Sequence, residues 1–292
     1  MVDQLDGIVV GTVGYPRRLA DLADPPEQLW ARGVVRERPL AVAIVGARAA
    51  SGHGMATARA VARDLAGEHG AAIVSGGAVG VDSAAHRGAL DVGGYTIAVL
   101  AGGLDTPYPT RNRPLFGDVI AAGGAVVSQF RPGTPPRRAN FVRRNRVMAA
   151  LADAVVVIEA GMASGALHTA AFAREHRRVL GAVPGSPGCE ALIAQGAAVV
   201  ESAADVLAAL AGSPRRPDVP LPAPQSDAGR VLATLELDAP RAEADIAACT
   251  GLGAREVSRA LTGLELEGLA VLLPGRAYVR SCLAQELLSS AP

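Results

Sequence analysis

The sequence of 292 residues contains no lysine: all 28 basic residues are arginine. A P-loop, which needs Gly-Lys-Ser/Thr, is therefore excluded. Aromatic residues make up only 3% of the chain, so its core has to be packed from Ala, Val and Leu. The three cysteines, Cys189, Cys249 and Cys282, lie far apart with no CxxC pair, which suggests neither a disulfide framework nor a zinc site. The histidines, His53, His69, His86, His168 and His176, show no HExxH or other metal-ligand spacing, and there is no GxSxG nucleophile elbow. No metal, no cofactor and no catalytic residue is expected. The formal net charge is zero, which argues against a surface coated in positive charge for duplex DNA. No apolar stretch approaches the roughly 20 residues of a membrane helix without Gly or charge. The start, MVDQLDGIVV, carries Asp3 and Asp6 where a signal peptide would carry basic residues, so a cytoplasmic protein with no membrane partner is expected.

With half of its residues hydrophobic, the chain has enough apolar content for one large core and a small second domain. The apolar run Ala41–Val45 leads into the glycine-rich turn Gly46–Gly54 and a helix with apolar residues at Ala58, Val61, Ala62 and Leu65. Such a turn points backbone amides and a positive dipole end at an anion, with Arg48 at its tip. It is not a dinucleotide fingerprint, since Thr57 stands where a third glycine is needed and no acid ends the next strand. Strand, turn and helix then alternate through Ala71–Ser75, Tyr95–Leu100, Ala125–Ser128, Ala154–Glu159, Val179–Val183 and Ala197–Val200. This predicts an α/β fold, an extended Rossmann-like doubly wound and mostly parallel sheet over residues 1–211, with its site at the carboxyl ends of the strands. Residues 1–39 read as a lead-in packed on the sheet edge. Residues 212–226 hold five prolines in fifteen positions and read as a linker. At about 3.1 Å per residue it could reach roughly 45 Å. Residues 227–281, three helices and a hairpin around Pro274-Gly275, predict a small C-terminal winged helix-turn-helix domain. Residues 282–292 remain as a tail.

Between Asp118 and Asp153 there is no acidic residue, while Arg131, Arg137, Arg138, Arg143, Arg144 and Arg146 supply positive charge around Phe130 and Phe141. Guanidinium groups interleaved with rings suit single-stranded nucleic acid, the charges following phosphates and the rings stacking on unpaired bases. The alternative is a solvated basic face with both rings in the core. Asn140 and Asn145 add amides to the patch. In the stretch Met162–Ala170, Ser164, Gly165 and Thr169 could donate to phosphate or ribose oxygens, or serve only the helix that they open. Asp82 and His86, four apart on a helix, read as packing or capping residues, and Glu159 as a structural partner for Arg144. About four phosphate contacts would give a log–log salt slope of roughly −2 to −3.

The chain resembles the DNA processing protein A (DprA, also called Smf) family. The resemblance runs from Tyr15-Pro16 through AVAIVGARAAS, SGGAVGVDSAAH, GGYTIAVLAGGLDTPYPTRN, FVRRNR, SGALHTA and VPGSP to LELEGLAVLLPG. It implies a Rossmann domain that binds single-stranded DNA without nucleotide hydrolysis, forms a homodimer and loads RecA recombinase in natural transformation and recombination. Carried over by position, the DNA-binding residues would be Gly46, Arg48 and Ser51 of the first turn and Ser75, Gly76 and Gly77 of the second. Arg138, Asn140, Phe141, Arg143, Arg144, Asn145 and Arg146 would join them from the arginine stretch, and Ser164, Gly165 and Thr169 from the third turn. Fourteen residues precede Tyr15, where many relatives carry a helical domain, so no role of such a domain is expected. Val142 and Gln129 stand where proline and an acid are usual. The presumed recognition helix balances Arg255 and Arg259 against Glu256, Glu265 and Glu267, which implies a protein or dimer contact, Arg276 and Arg280 on the wing being the best case for DNA. The sheet also resembles the lysine-decarboxylase-like nucleoside monophosphate phosphoribohydrolases. Their PGGxGTxxE signature would align near SGALHTA, where the proline and the catalytic glutamate are missing.

Overall fold

The computed structural model describes residues 6–10, 12, 14–212, 221–236, 239–267, 269–273 and 277–280. The chain divides into two compact units, Met1–Pro214 and Arg215–Pro292. The first opens with β1 (Asp6–Val9), α1 (Arg17–Ala20) and β2 (Gln28–Gly33). Strand and helix then alternate: β3 (Ala41–Val45), α2 (Gly52–Glu68), β4 (Ala72–Ser75), α3 (Val81–Asp91), β5 (Thr96–Val99), α4 (Arg113–Ala121), β6 (Ala125–Ser128) and α5 (Arg138–Leu151). The alternation continues through β7 (Ala154–Val157), α6 (Ala166–Glu175), β8 (Val179–Ala182), α7 (Pro187–Ala194), β9 (Ala198–Val199) and α8 (Ala203–Ala211).

The strands form one nine-stranded sheet in the order β1-β2-β6-β5-β4-β3-β7-β8-β9. It is parallel from β6 to β9, and β2 and β1 extend it antiparallel at the β6 edge. The doubly wound, mostly parallel sheet is as the sequence predicts, and β1 and β2 lie at its edge. Every residue of β3 to β7 is buried, because helices cover both faces and leave no solvated side. On one face Val147, Met148 and Leu151 of α5 pack with Ala166, Ala170 and Ala173 of α6. On the other, Val61 and Leu65 of α2 meet Val81 and Ala85 of α3 and Val206 of α8. Arg18 of α1 fastens the lead-in: its Nε and Nη2 both donate to Asp153 (2.8 Å), whose carboxylate also accepts from Ala41 N at the foot of β3 (2.8 Å).

The second unit contains α9 (Asp227–Thr234), β10 (Arg241–Ala242), α10 (Glu243–Thr250), α11 (Ala254–Leu266), β11 (Ala270–Leu273) and β12 (Ala277–Arg280). β12 lies between β10 and β11, and Val231, Leu232, Ile246, Val257, Leu261 and Leu264 close the core under this small sheet. Three helices and a wing make it a winged helix. Ser226 caps α9 through Gly229 N (3.0 Å). Residues 213–220 of the expected linker, Arg276 and the 282–292 tail lie outside the described residues. Leu221 packs against the second unit's core, so the end of that stretch belongs to the module rather than to a free spacer. Among the described residues no helix is long and apolar enough to cross a membrane.

Candidate nucleic-acid interface

From β3 the chain winds outward through β4, β5 and β6, then returns beside β3 at β7 and winds the other way. Open α/β sheets bind ligands at the carboxyl ends where this reversal occurs. Here the protein fills that crevice itself. Glu159, just past β7, accepts from Ser51 N (3.0 Å) and Ser51 Oγ (2.7 Å), while its main-chain oxygen accepts from Ala47 N (2.7 Å). Ser51 Oγ in turn accepts from Gly54 N (2.9 Å) and caps α2. The anion at this helix N-terminus is the Glu159 carboxylate, and a Cβ at Gly54 would collide with it. Gly46 answers to packing, since a Cβ there would come within 2.7 Å of Val81 Cγ2 and 3.0 Å of Glu159 O. The turn that the sequence offers to an external phosphate is therefore occupied, and Glu159 pairs with Ser51 rather than with Arg144.

The open chemistry lies one step along, over the ends of β4 and β5. A depression of about 50 Å³ is lined by Arg48, Gly76, Ala78, Tyr108, Phe141 and Arg144 together with adjoining backbone. Arg48 is exposed and its guanidinium carbon lies 4.8 Å from the Phe141 ring centroid, a cation–π contact. Tyr108, 46% exposed, meets the same ring edge-on, with centroids 6.2 Å apart and planes at 77°. Tyr108 follows β5 in a loop with a cis Tyr108-Pro109 bond, and Asn112 fixes that loop by donating to Gly77 O and Ser83 Oγ (both 2.8 Å). The rim of this depression is thus two rings and a free guanidinium.

Its floor is a buried charge. Arg144 is 5% exposed; its Nη1 donates to Gly76 O and to Val99 O (2.6 Å), and its Nε to Asn145 Oδ1 (3.1 Å). Gly76 is required there because a Cβ would run into the Arg144 guanidinium. Burial and the repulsion of Arg48 pull the Arg144 pKa down to about 10, while Asp82 holds it up, so the group stays charged at neutral pH. Asp82 is itself buried, which raises its pKa against the attraction of Arg144 and the hydrogen bond from Ala78 N (3.2 Å). His86 is fully buried: Thr96 Oγ1 donates to Ile73 O (2.7 Å), so it accepts from the imidazole Nδ1 (2.8 Å). Desolvation first, then the nearby Arg144 charge, lower the His86 pKa to about 3 and keep it neutral. As the sequence suggests, Asp82 and His86 serve the fold.

The sequence-selected residues thus separate into groups. Arg48, Phe141, Arg144 and Gly76 meet at the depression. Gly77 supports it from behind with φ +65°, its open side filled by Phe116. Ser75 is fully buried and its hydroxyl donates to Ile44 O (2.7 Å), so it offers nothing to a ligand. Asn145 is buried and spans from Arg144 to Gly165 O (3.0 Å). Ser164 Oγ accepts from Ala166 N (3.3 Å), Gly165 opens α6 and Thr169 is 1% exposed, so none of the three reaches the rim. Arg138 is exposed at the start of α5, and Asn140 turns back to Pro135 O (3.2 Å). Arg143 lies over Phe130, which is core, and Arg146 bonds Asp24 O (3.1 Å), both away from Phe141. Tyr108 is the residue that charge reasoning misses; its signal is the ring in TPYPTRN, which composition does not mark as a partner of Phe141. On the second unit, Arg259 faces Asp227 (3.5 Å) and Glu256 caps its own helix through Gly253 N (2.7 Å), which leaves α11 without a strong positive face.

A doubly wound α/β unit with an arginine–aromatic rim at its carboxyl edge, followed by a winged helix, is the class that these features define. The chain belongs to the DNA recombination-mediator protein A family, which it matches over residues 7–211, and residues 215–276 match the DprA winged helix domain. The putative DNA processing protein DprA of Mycobacterium tuberculosis is 42% identical over 278 residues, 90% of this chain and 71% of that protein. DprA of Streptococcus pneumoniae has a solved structure that superposes with a TM-score of 0.65 at 39% identity, covering 70% of this chain and 74% of that one. DprA of Helicobacter pylori, whose structure describes a single-stranded DNA binding mode, gives 0.63 at 30% identity, covering 74% of this chain and 100% of that one.

Proposed function

We propose that the Arg48–Phe141–Tyr108 rim binds single-stranded DNA. An unpaired base stacks on the exposed ring of Tyr108 and the open part of Phe141, and the adjoining phosphates lie against Arg48 and against Arg137 and Arg138 at the start of α5. The observation that carries this reading is the stack itself: a free guanidinium 4.8 Å from one ring and a half-exposed second ring 6.2 Å from it, all at the carboxyl edge of the sheet. Duplex DNA presents no base faces to such a rim. The single-strand binding mode described for the Helicobacter pylori protein supports single-stranded DNA as the ligand. The chain holds the strand rather than hydrolysing nucleotides, since its buried acid and imidazole, Asp82 and His86, are bonded within the fold. In line with the family resemblance, the bound strand is protected and passed to a RecA recombinase in the cytoplasm during transformation and recombination, with two copies acting as a homodimer.

Fluorescence anisotropy of a labelled oligonucleotide tests the reading. The single strand is expected to bind much more tightly than the duplex, and Arg48→Ala and Phe141→Ala each to weaken it. With Arg144 withdrawn into the floor, about three guanidiniums remain for phosphates, and the log–log salt slope is expected near roughly −2. Equal binding of strand and duplex, unmoved by either variant, would contradict the assignment.

A further inference from the structure

Arg143 lies about 200° around α5 from Phe141, at 100° per residue, so the two side chains serve opposite sides of the helix. On the Arg143 side a cleft of about 370 Å³ opens between α5 and the lead-in. That volume is within the roughly 300–1,000 Å³ of small-ligand sites and sufficient for one nucleotide. Its lining is rich in donors: Arg131, Arg143 and Arg146, the indole of Trp30 and the amide of Gln129. Trp30 Nε1 and Gln129 Nε2 are both buried without a hydrogen-bond partner among the described residues. Two orphaned donors just behind the wall of one cleft are costly, and a ligand acceptor toward which either side chain turns removes part of that cost. The carboxylates of the lining are Asp24 and Glu27, both exposed, and Asp24 pairs with Arg146 (3.7 Å). Arg131 and Arg143 have no ion-pair partner among the described residues, so an anion is best placed between them.

We propose that the cleft between the lead-in and α5 is a second binding site, one that takes a single phosphate-bearing nucleotide, its phosphate on Arg131 and Arg143 and its base or sugar acceptors on Trp30 Nε1 and Gln129 Nε2. The nucleotide is either free in solution or a residue of a bound strand, two sources with the same chemistry. The site does not depend on the rim, so either can fail without the other.

Trp30 is the single tryptophan of the chain, so its emission reports on this cleft directly. The titrants are a deoxynucleoside 5′-monophosphate, inorganic phosphate and a short single-stranded oligonucleotide. The monophosphate is expected to change Trp30 emission saturably in the wild type and equally in Phe141→Ala. The isosteric Gln129→Glu, which replaces the amide donor offered to the base or sugar by a carboxylate acceptor, and the pair Arg131→Ala/Arg143→Ala are each expected to weaken it by about tenfold or more. An oligonucleotide that displaces the monophosphate in the Phe141→Ala background identifies the strand as the source; one that does not identifies the free nucleotide. The proposal is overturned by three results: no emission change and no calorimetric heat with the monophosphate, inorganic phosphate binding as tightly as the nucleotide, or a response lost in Phe141→Ala.

Discussion

Arg48 and Arg144 both stack on Phe141, at 4.8 and 5.8 Å from its centroid, yet burial divides their work. Arg144 spends its donors on Gly76 O, Val99 O and Asn145, whereas Arg48 keeps its donors in solvent. Glu159 makes a similar division at the neighbouring turn. Glu159→Ala removes the acceptor for Ser51 N and Oγ and is expected to cost about 1–2 kcal/mol, seen as a fall in Tm. Added sulfate is expected to restore part of that loss, because the freed α2 N-terminus then binds an external anion. An unchanged Tm would mean that the carboxylate does not hold the turn. His86 sets a pH dependence. Its folded pKa is about 3 against an ordinary 6.5, so below about 6.5 the unfolded chain takes up a proton that the folded chain refuses. Stability is therefore complete above that range and declines as pH falls towards 3. Urea melts at neutral and mildly acidic pH are expected to show a larger loss for the wild type than for His86→Asn. Parallel losses would contradict the assignment.

At the scale of elements, the rim depends on four loops being stitched together, those after β3, β4, β5 and β7. Val81 N donates to Ala47 O (3.3 Å), Ala47 N donates to Glu159 O (2.7 Å), and Asn112 joins the loop after β5 to the loop after β4. Gly80 lies at the crossing, with φ +82° and a missing Cβ that would fall 2.6 Å from Arg48 O. Gly80→Ala is expected to destabilise the unit by about 1–3 kcal/mol and to weaken strand binding as Arg48 is displaced. An unchanged affinity would show that the loop tip adjusts without consequence. These loops also mark what a sequence makes legible. Strand runs such as Ala41–Val45 and the alternation of elements are local patterns, and the structure follows them to within about a residue or two. Phe141 and Arg144 could be named because the motif FVRRNR carries them, and the glycines of SGG because the second glycine-rich turn does. The divided roles of Arg144, Ser75 and Thr169 could not be read, since burial is decided by elements distant in sequence. Tyr108 meets Phe141 across 33 positions, and no local pattern records that contact.

For the whole molecule, the reversal between β3 and β7 fixes where a site can form, and the protein plugs the crevice there with Glu159. Binding chemistry is thereby moved to the ends of β4 and β5, where two rings and Arg48 meet. The lead-in, fastened through Arg18 and Asp153, extends the same sheet and walls the second cleft. The winged helix that follows carries a balanced rather than a basic α11. Affinity at the rim is attributed to bases as well as phosphates, and an oligonucleotide of abasic sites separates the two because it keeps every phosphate and removes every base face. Anisotropy with the abasic strand and its normal counterpart, for the wild type and Phe141→Ala, is the most direct measurement. The normal strand is expected to bind the wild type more tightly by about 1–3 kcal/mol per stacked base, and Phe141→Ala to remove most of that difference. Equal affinity of the wild type for both strands would show that the rim holds phosphates alone and that no base stacks on Tyr108 and Phe141.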